Sequence, residues 1–222
     1  IFRDVKTSDF EEDVRSGMVD YIGDDVIDRF LGEVMKQRVF PEPCGGLKVV
    51  YTPLNGTGRV CVTRILRMIG VKDAPVVPEQ EFPDGNFTTC PFPNPEIREA
   101  LQKGLELCEK VKPDLLLATD PDCDRCGIAV RQGGEYRLMT GNEVGTLLLD
   151  FICRGRAERG TMPEKPVAVT TIVSTDMATP VAAHYGVELR RVLTGFKYIG
   201  DQIADLERHG GADRYIFGFE ES

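Results

Sequence analysis

The second half of the chain alternates strand patterns with helix patterns, and this alternation constrains the fold more than any other feature. Residues 167–173 form a continuous run of apolar residues and threonines, which is typical of a parallel strand buried on both faces. Helix patterns at 176–185 and 196–207 alternate with further strand patterns at 187–192 and 215–217. This succession predicts an α/β unit.

The first half carries patterns of the same kind, so it forms a second α/β unit. In chain order they predict a helix over 14–38, a strand over 47–51, a helix over 60–69, a helix over 95–111, a strand over 115–119 and a hairpin with strands over 127–130 and 135–139. A chain of 222 residues is long enough to bury two modest cores. We therefore expect two consecutive α/β domains, residues 1–140 and residues 141–222, each with a mixed sheet flanked by helices.

Three aspartates alternate directly after the strand pattern at 115–119: Asp120, Asp122 and Asp124, with Arg125 next. Three negative charges so close together repel one another unless something neutralises them. Carboxylate oxygens are ligands that hard divalent cations such as Mg²⁺ prefer. The residues favour a magnesium site made by one loop, with Arg125 placed to meet a phosphate beside the metal. A solvated acidic turn is the alternative that stays open.

Two other uses of this loop fit the residues less well. An EF-hand needs glycine at its sixth position and glutamate at its twelfth, and this chain has Arg125 and Arg131 there. A phosphatase loop with an aspartate nucleophile would continue Asp122 and Asp124 with a threonine two residues on, where this chain has Cys126. The EF-hand is excluded, whereas a metal-dependent phosphatase is disfavoured but stays open.

Three further stretches follow strand patterns. The turn at 52–58 could present backbone N–H groups to a phosphate, or its glycines could only allow a tight turn. The stretch at 194–197 opens a helix with a lysine in its first turn, which the helix dipole disfavours unless an anion binds there. The stretch at 218–222 has acidic and hydroxyl side chains that suit a sugar. A surface lysine and a solvated turn are the respective alternatives.

Charge and cysteine content limit the partners and the compartment. The formal net charge of −9 argues against a nucleic-acid surface, and no apolar run approaches transmembrane length, so neither nucleic acid nor a membrane is an expected partner. Seven cysteines, an odd number, are typical of a reducing cytoplasm. Because the chain begins with Ile1 and stops at Ser222 directly after a strand pattern, we expect a piece of a longer polypeptide.

Together these stretches resemble the α-D-phosphohexomutase superfamily, in particular its phosphoglucomutase and phosphopentomutase branch. The motifs are Thr-Asp-Pro-Asp-x-Asp-Arg at 119–125, Thr-Gly-Phe-Lys at 194–197 and Gly-Phe-Glu-Glu-Ser at 218–222, with weaker likeness at 51–58, 93–96 and 140–143. The resemblance implies that residues 1–140 are domain two and that residues 141–222 are domain three, truncated at its C-terminal end. Domain one, with a phosphorylated serine in a Ser-His-Asn-Pro type motif, and domain four, with a phosphate-binding loop, would be missing parts of the same polypeptide.

The resemblance also implies roles for single residues. The implied metal ligands are Asp120, Asp122 and Asp124. The implied catalytic residues are Arg125 and Lys197. The implied substrate-binding residues are Thr194, Gly195, Phe196, Glu220 and Ser222. Many relatives carry histidine where this chain has Asn55, whose role the sequence leaves open.

The implied activity is that of a magnesium-dependent sugar-phosphate mutase, an intramolecular phosphotransferase, with phosphoglucomutase favoured. Phosphate would pass between two hydroxyls of a sugar monophosphate through a phosphoserine, with Mg²⁺ as cofactor and a sugar bisphosphate as intermediate and activator. Because the serine is not in this sequence, we expect the chain alone to be inactive. We also expect it to bind the metal weakly, because the phosphoserine would be the fourth ligand. A non-catalytic module that binds metal or sugar phosphate is the alternative.

Overall fold

The computed structural model describes residues 4–221. The chain divides into two compact units, one ending at Arg38 and the other beginning at Val39. Both sheets of the protein belong to the second unit. Within the described residues, no helix combines the length and the apolar character needed to cross a lipid bilayer.

Within residues 4–38, the first unit contains two α-helices rather than one. They are α1 (Phe10–Ser16) and α2 (Asp24–Met35). The prediction of a single helix over 14–38 is wrong, because Gly17 ends α1 in a left-handed conformation with a φ of 77°. Asp9 caps the start of α1 by accepting a hydrogen bond from the N–H of Glu12.

The first sheet of the second unit has four strands in the order β1-β2-β3-β4. They are β1 (Val49–Thr52), β2 (Leu115–Thr119), β3 (Cys126–Gln132) and β4 (Glu135–Met139). β1 runs parallel to β2, whereas β3 is antiparallel to both of its neighbours. The predicted hairpin is confirmed, and it turns through Gly133 and Gly134, which both have positive φ.

Helices cover both faces of this sheet. They are α3 (Arg59–Met68) and α4 (Gln102–Val111). Because side chains alternate along a strand, Leu116 of β2 joins Leu105 of α4 in one buried cluster, while Leu115 packs against the cluster that contains Leu66 of α3. Helix α4 begins later than the predicted residue 95, because the preceding residues form tighter turns with bonds to carbonyls three positions back.

The second sheet has three strands in the order β6-β5-β7 and is parallel throughout. The strands are β5 (Val167–Thr171), β6 (Glu188–Val192) and β7 (Tyr215–Phe219), and the helices are α5 (Gly141–Glu158), α6 (Ala178–His184) and α7 (Phe196–Arg208). The predicted α/β class is confirmed, but the prediction of a mixed sheet is wrong here. A helix lies in each connection between these strands, and such crossovers return the chain in the same direction.

Loops that follow parallel strands gather at one edge of each sheet. In the first sheet these are residues 53–58 after β1 and residues 120–125 after β2. In the second sheet they are residues 172–177 after β5, residues 193–195 after β6, and Glu220 and Glu221 after β7. The predicted site residues that the structure describes all lie in these loops or in the first turn of α7.

We expect Leu116→Ala to lower the free energy of unfolding by about 2–5 kcal/mol, because it opens a cavity in a packed core. Leu116 is fully buried and packs against Gly104 of α4. Urea unfolding followed by circular dichroism measures the effect. The matched control is Leu147→Ala, because the side chain of Leu147 is 56% exposed. Equal losses in the two variants would contradict this assignment of the core.

Candidate functional site

The acidic loop, residues 120–125, joins β2 to β3 and brings its three aspartates together. Carboxylate oxygens of Asp120, Asp122 and Asp124 all lie within 4.8 Å of one another. Asp120 is 8% exposed, whereas the other two are exposed. The N–H of Arg125 donates to Oδ1 of Asp120 at 2.9 Å, which closes the loop. The loop therefore presents convergent oxygen atoms on its open side.

The electrostatics of the loop favour a bound cation. Burial raises the pKa of Asp120 from its ordinary value of 3.8 to about 6, and Asp122 and Asp124 raise it too, while the N–H of Arg125 opposes the rise. Three oxygen donors of this kind suit a hard cation such as Mg²⁺. The guanidinium of Arg125 lies 3.8 Å from Asp124, and its side chain is 47% exposed. Such an open ion pair is weak, so Arg125 stays free to meet an anion.

The glycine turn, residues 53–58 after β1, is in direct contact with the acidic loop. The carbonyl of Pro121 accepts hydrogen bonds from both the N–H and the Oγ1 of Thr57, at 2.8 Å and 3.1 Å. A Cβ on Gly56 would lie 2.3 Å from the Cα of Pro121, so only glycine fits there. The N–H groups of Asn55 and Gly56 donate to carbonyls of the protein. These donors are used internally, so the interpretation of the turn as a phosphate cradle is not supported.

Asn55 has a structural role that the sequence did not reveal. It is 6% exposed and adopts a left-handed conformation with a φ of 61°, which asparagine tolerates. Its Nδ2 donates to the carbonyl of Phe82 at 2.8 Å, and its N–H donates to the carbonyl of Gln80 at 2.9 Å. Asn55 thus ties the glycine turn to the segment around residues 79–82.

The two predicted substrate stretches of the second sheet meet at one hydrogen bond. The N–H of Gly195 donates to Oε2 of Glu220 at 2.9 Å. Gly195 has a φ of 121°, a conformation that favours glycine. Thr194, Phe196 and Lys197 are exposed beside it. Ser222 lies outside the described residues.

Several polar residues that hold the loops at this edge of the second sheet were not predicted from the sequence. Oγ of Ser174 donates to Oε2 of Glu221 at 2.8 Å, and Ser174 is 5% exposed. Arg191 donates to the carbonyls of Ser174 and Thr175. Oδ1 of Asn142, in the first turn of α5, accepts the N–H of Thr175 at 2.7 Å. The only available signal was their position after or beside strand patterns, which does not reveal partners this far apart in the chain.

We expect Gly56→Ala to lower the free energy of unfolding by about 1–3 kcal/mol, because its methyl group would overlap the backbone of Pro121. Thermal unfolding of the purified chain measures the effect. Gly85→Ala is the matched control, since a Cβ on Gly85 would meet nothing within 4 Å. An unchanged melting temperature in Gly56→Ala would contradict the close contact between the two loops.

We also expect Asp120→Asn to raise the melting temperature of the metal-free chain near neutral pH. With a pKa raised to about 6, folded Asp120 binds more protons than the unfolded residue does between about pH 4 and pH 6. The free energy of unfolding therefore falls as the pH rises through that range. Asparagine keeps the oxygen acceptor without the charge. The gain in melting temperature should vanish below about pH 4. An equal gain near neutral pH and below about pH 4 would contradict the raised pKa of Asp120.

Comparison with known proteins agrees with this arrangement. Residues 28–134 match the family model for "Phosphoglucomutase/phosphomannomutase, alpha/beta/alpha domain II", and residues 140–222 match the model for domain III of the same family. A phosphoglucomutase/phosphomannomutase family protein from Burkholderia thailandensis has a similar fold, with a TM-score of 0.64 at 19% identity, over 89% of this chain and 37% of that protein.

Two relatives are similar over most of this chain. A phosphoribomutase of Saccharomyces cerevisiae is 37% identical over 94% of this chain, and a phosphoglucomutase of Staphylococcus aureus is 36% identical over 81% of it. The chain spans about a third of their length, 36% and 32% respectively. Because the two family models together match most of its residues, this chain belongs to the phosphoglucomutase/phosphomannomutase family.

Proposed function

We propose that this chain provides the metal-binding and sugar-binding loops of a magnesium-dependent sugar-phosphate mutase. The observation that carries the proposal is the convergence of three carboxylates within 4.8 Å, at a strand end, in a member of this family. Glucose phosphate is the proposed substrate, since a relative at 36% identity is named a phosphoglucomutase. The reaction is an intramolecular phosphoryl transfer through a phosphoserine and a sugar bisphosphate.

Asp120, Asp122 and Asp124 would hold Mg²⁺. Bound there, the ion would neutralise charge on the transferring phosphoryl group, which is the main requirement of this chemistry. Arg125 would donate to a phosphate oxygen next to the metal, because its half-exposed guanidinium is held only by a weak ion pair. The hydrogen bonds from the backbone N–H groups of Arg125 and Thr57 would hold the acidic loop in place while the phosphoryl group is transferred.

Glu220 would accept a hydrogen bond from a sugar hydroxyl. One of its oxygens accepts the N–H of Gly195, and the other, which has no hydrogen bond to the described residues, would accept a hydroxyl donor. Lys197 and Thr194 are exposed beside it and would contact a phosphate, with Phe196 lining the same loop. Ser222 completes the proposed set. A carboxylate accepts hydroxyls of a sugar in either orientation, which suits a bisphosphate that turns round.

The remaining parts of the mutase are proposed from the resemblance. We assign residues 1–140 to domain two and residues 141–222 to domain three. The sequence contains no Ser-His-Asn-Pro stretch, so the phosphoserine would come from domain one and a phosphate-binding loop from domain four. A cytoplasmic location suits the seven cysteines, which are all free.

Binding to the purified chain tests this proposal. We expect Mg²⁺ to bind weakly in calorimetric titration, and Asp122→Asn to weaken it by about tenfold or more through the loss of a charged ligand. We expect glucose 1,6-bisphosphate to bind more tightly with Mg²⁺ present than without it. Glu220→Gln should weaken the bisphosphate by about tenfold while leaving the affinity for Mg²⁺ unchanged.

Asp73→Asn is the control, because Asp73 is exposed and lies in none of these loops. Isomerisation of glucose 1-phosphate by the chain alone should be undetectable, and clear turnover would show that the serine of another domain is not required. Failure of the chain to bind either Mg²⁺ or the bisphosphate would contradict the proposed function itself.

A further inference from the structure

We propose that Glu96 is a positioning residue that fixes the start of α5 relative to the acidic loop. Through the start of α5 it would also fix the Glu220 loop, defined here as Glu220 and Glu221. The inference rests on the proposed function, because it concerns how the two halves of that site act on one ligand. Glu96 itself belongs to neither half. It lies in the strap, defined here as Asn94–Glu96, which contacts the protein on two sides.

On one side, the strap is seated at the base of the acidic loop. A Cβ on Gly127 would lie 2.3 Å from the carbonyl oxygen of Pro95, so the two backbones are in direct contact. Gly127 is the second residue of β3 and pairs with Ala118 of β2. These two strands lead directly into the acidic loop. The strap therefore contacts the strand ends that flank the acidic loop.

On the other side, the strap holds the start of α5. Oε1 of Glu96 accepts the N–H of Gly141 at 2.7 Å. Gly141 in turn contacts the Glu220 loop, because a Cβ on it would lie 1.7 Å from the carbonyl oxygen of Glu221. The carboxylate of Glu96 also sits at the positive end of an 18-residue helix, where a negative charge is favourable.

The strap is itself held in a single conformation. Oδ1 of Asn94 accepts the N–H of Glu96 at 2.9 Å, and the carbonyl of Asn94 accepts the N–H of Ile97 at 3.0 Å. Pro95 between them is buried and has a restricted φ. The carboxylate of Glu96 thus leaves a fixed turn, and its position is set by the same backbone that touches Gly127.

The helix also has a cap of its own. Thr140 and Glu143 form a complete capping box, in which each side chain accepts the backbone N–H of the other residue. The bond from Glu96 comes from a segment 45 positions earlier in the chain. We infer that its consequence is the position of the start of α5 relative to β3, and with it the position of Glu221 and its neighbour Glu220.

Placement of this kind matters to a ligand that must reach both loops. A sugar phosphate would contact the metal through its phosphate and Glu220 through a hydroxyl, so binding at one loop favours binding at the other only while their separation is fixed. A displacement of about 1 Å can reduce the rate of such a reaction by about a hundredfold. Loss of Glu96 should therefore weaken the coupling between the two loops more than either loop's own binding.

The test compares bisphosphate affinity with and without Mg²⁺ in calorimetric titrations of the 222-residue chain. The ratio of these affinities measures the coupling. We expect Glu96→Ala to reduce the ratio by about tenfold while the affinity for Mg²⁺ alone stays at the wild-type value. Glu96→Gln should keep most of the wild-type ratio, because the glutamine amide oxygen can still accept the N–H of Gly141. Glu96→Asp should not, because its side chain is one methylene shorter.

Glu99→Ala is the matched control, since Glu99 is exposed nearby on the same segment, and it should leave the ratio unchanged. If Glu96→Ala does not fold, the comparison of Glu96→Asp with Glu96→Gln decides the matter. A ratio that is unchanged in Glu96→Ala, or restored by Asp but not by Gln, overturns the inference while the proposed function stands. A wild-type chain that binds neither Mg²⁺ nor the bisphosphate overturns both.

Discussion

Mutual repulsion of three carboxylates in one short loop is the constraint on which the rest of this structure depends. Burial adds to it at Asp120, at the end of β2, where desolvation first and the charges of Asp122 and Asp124 second raise the pKa. The loop is restrained largely through backbone atoms, with the N–H of Arg125 bound to Asp120 and both donors of Thr57 bound to the carbonyl of Pro121. Restraint of this kind leaves the charge on the open side for a cation.

The carboxylates of the second sheet are arranged differently, and the difference predicts a different ligand. Glu220 and Glu221 each accept a hydrogen bond from a neutral donor of the protein, the N–H of Gly195 and the hydroxyl of Ser174. Among the described residues, neither joins a group of three acids as the aspartates do, so they create no comparable need for a cation. Their remaining lone pairs suit hydroxyl donors. The two loops thus suit the two ligands of the proposed function, a metal at the acidic loop and a sugar at Glu220.

Most strands and helices, and the loops that follow the strands, could be predicted from the sequence, because strand and helix periodicity is a local property. The strand ending at Thr119 and the loop that follows it were predicted at the positions observed. The all-parallel pairing of the second sheet was not predicted, although the helix patterns between its strand patterns already favoured it. The contacts of Asn55 and Glu96 were also missed, because their partners are distant in sequence and no periodicity reports a contact between loops.

Three glycines at the site lie in close contact with another backbone, and these contacts affect how the site can work. Gly56, Gly127 and Gly141 each approach another backbone so closely that a Cβ would lie 2.3 Å or less from it. Contacts between backbones do not depend on side-chain rotamers, so they hold the loops in one arrangement while side chains at the surface stay free. The bisphosphate of the proposed function would need such a frame, because its sugar would change orientation between the two proposed transfers while the groups that bind it keep theirs.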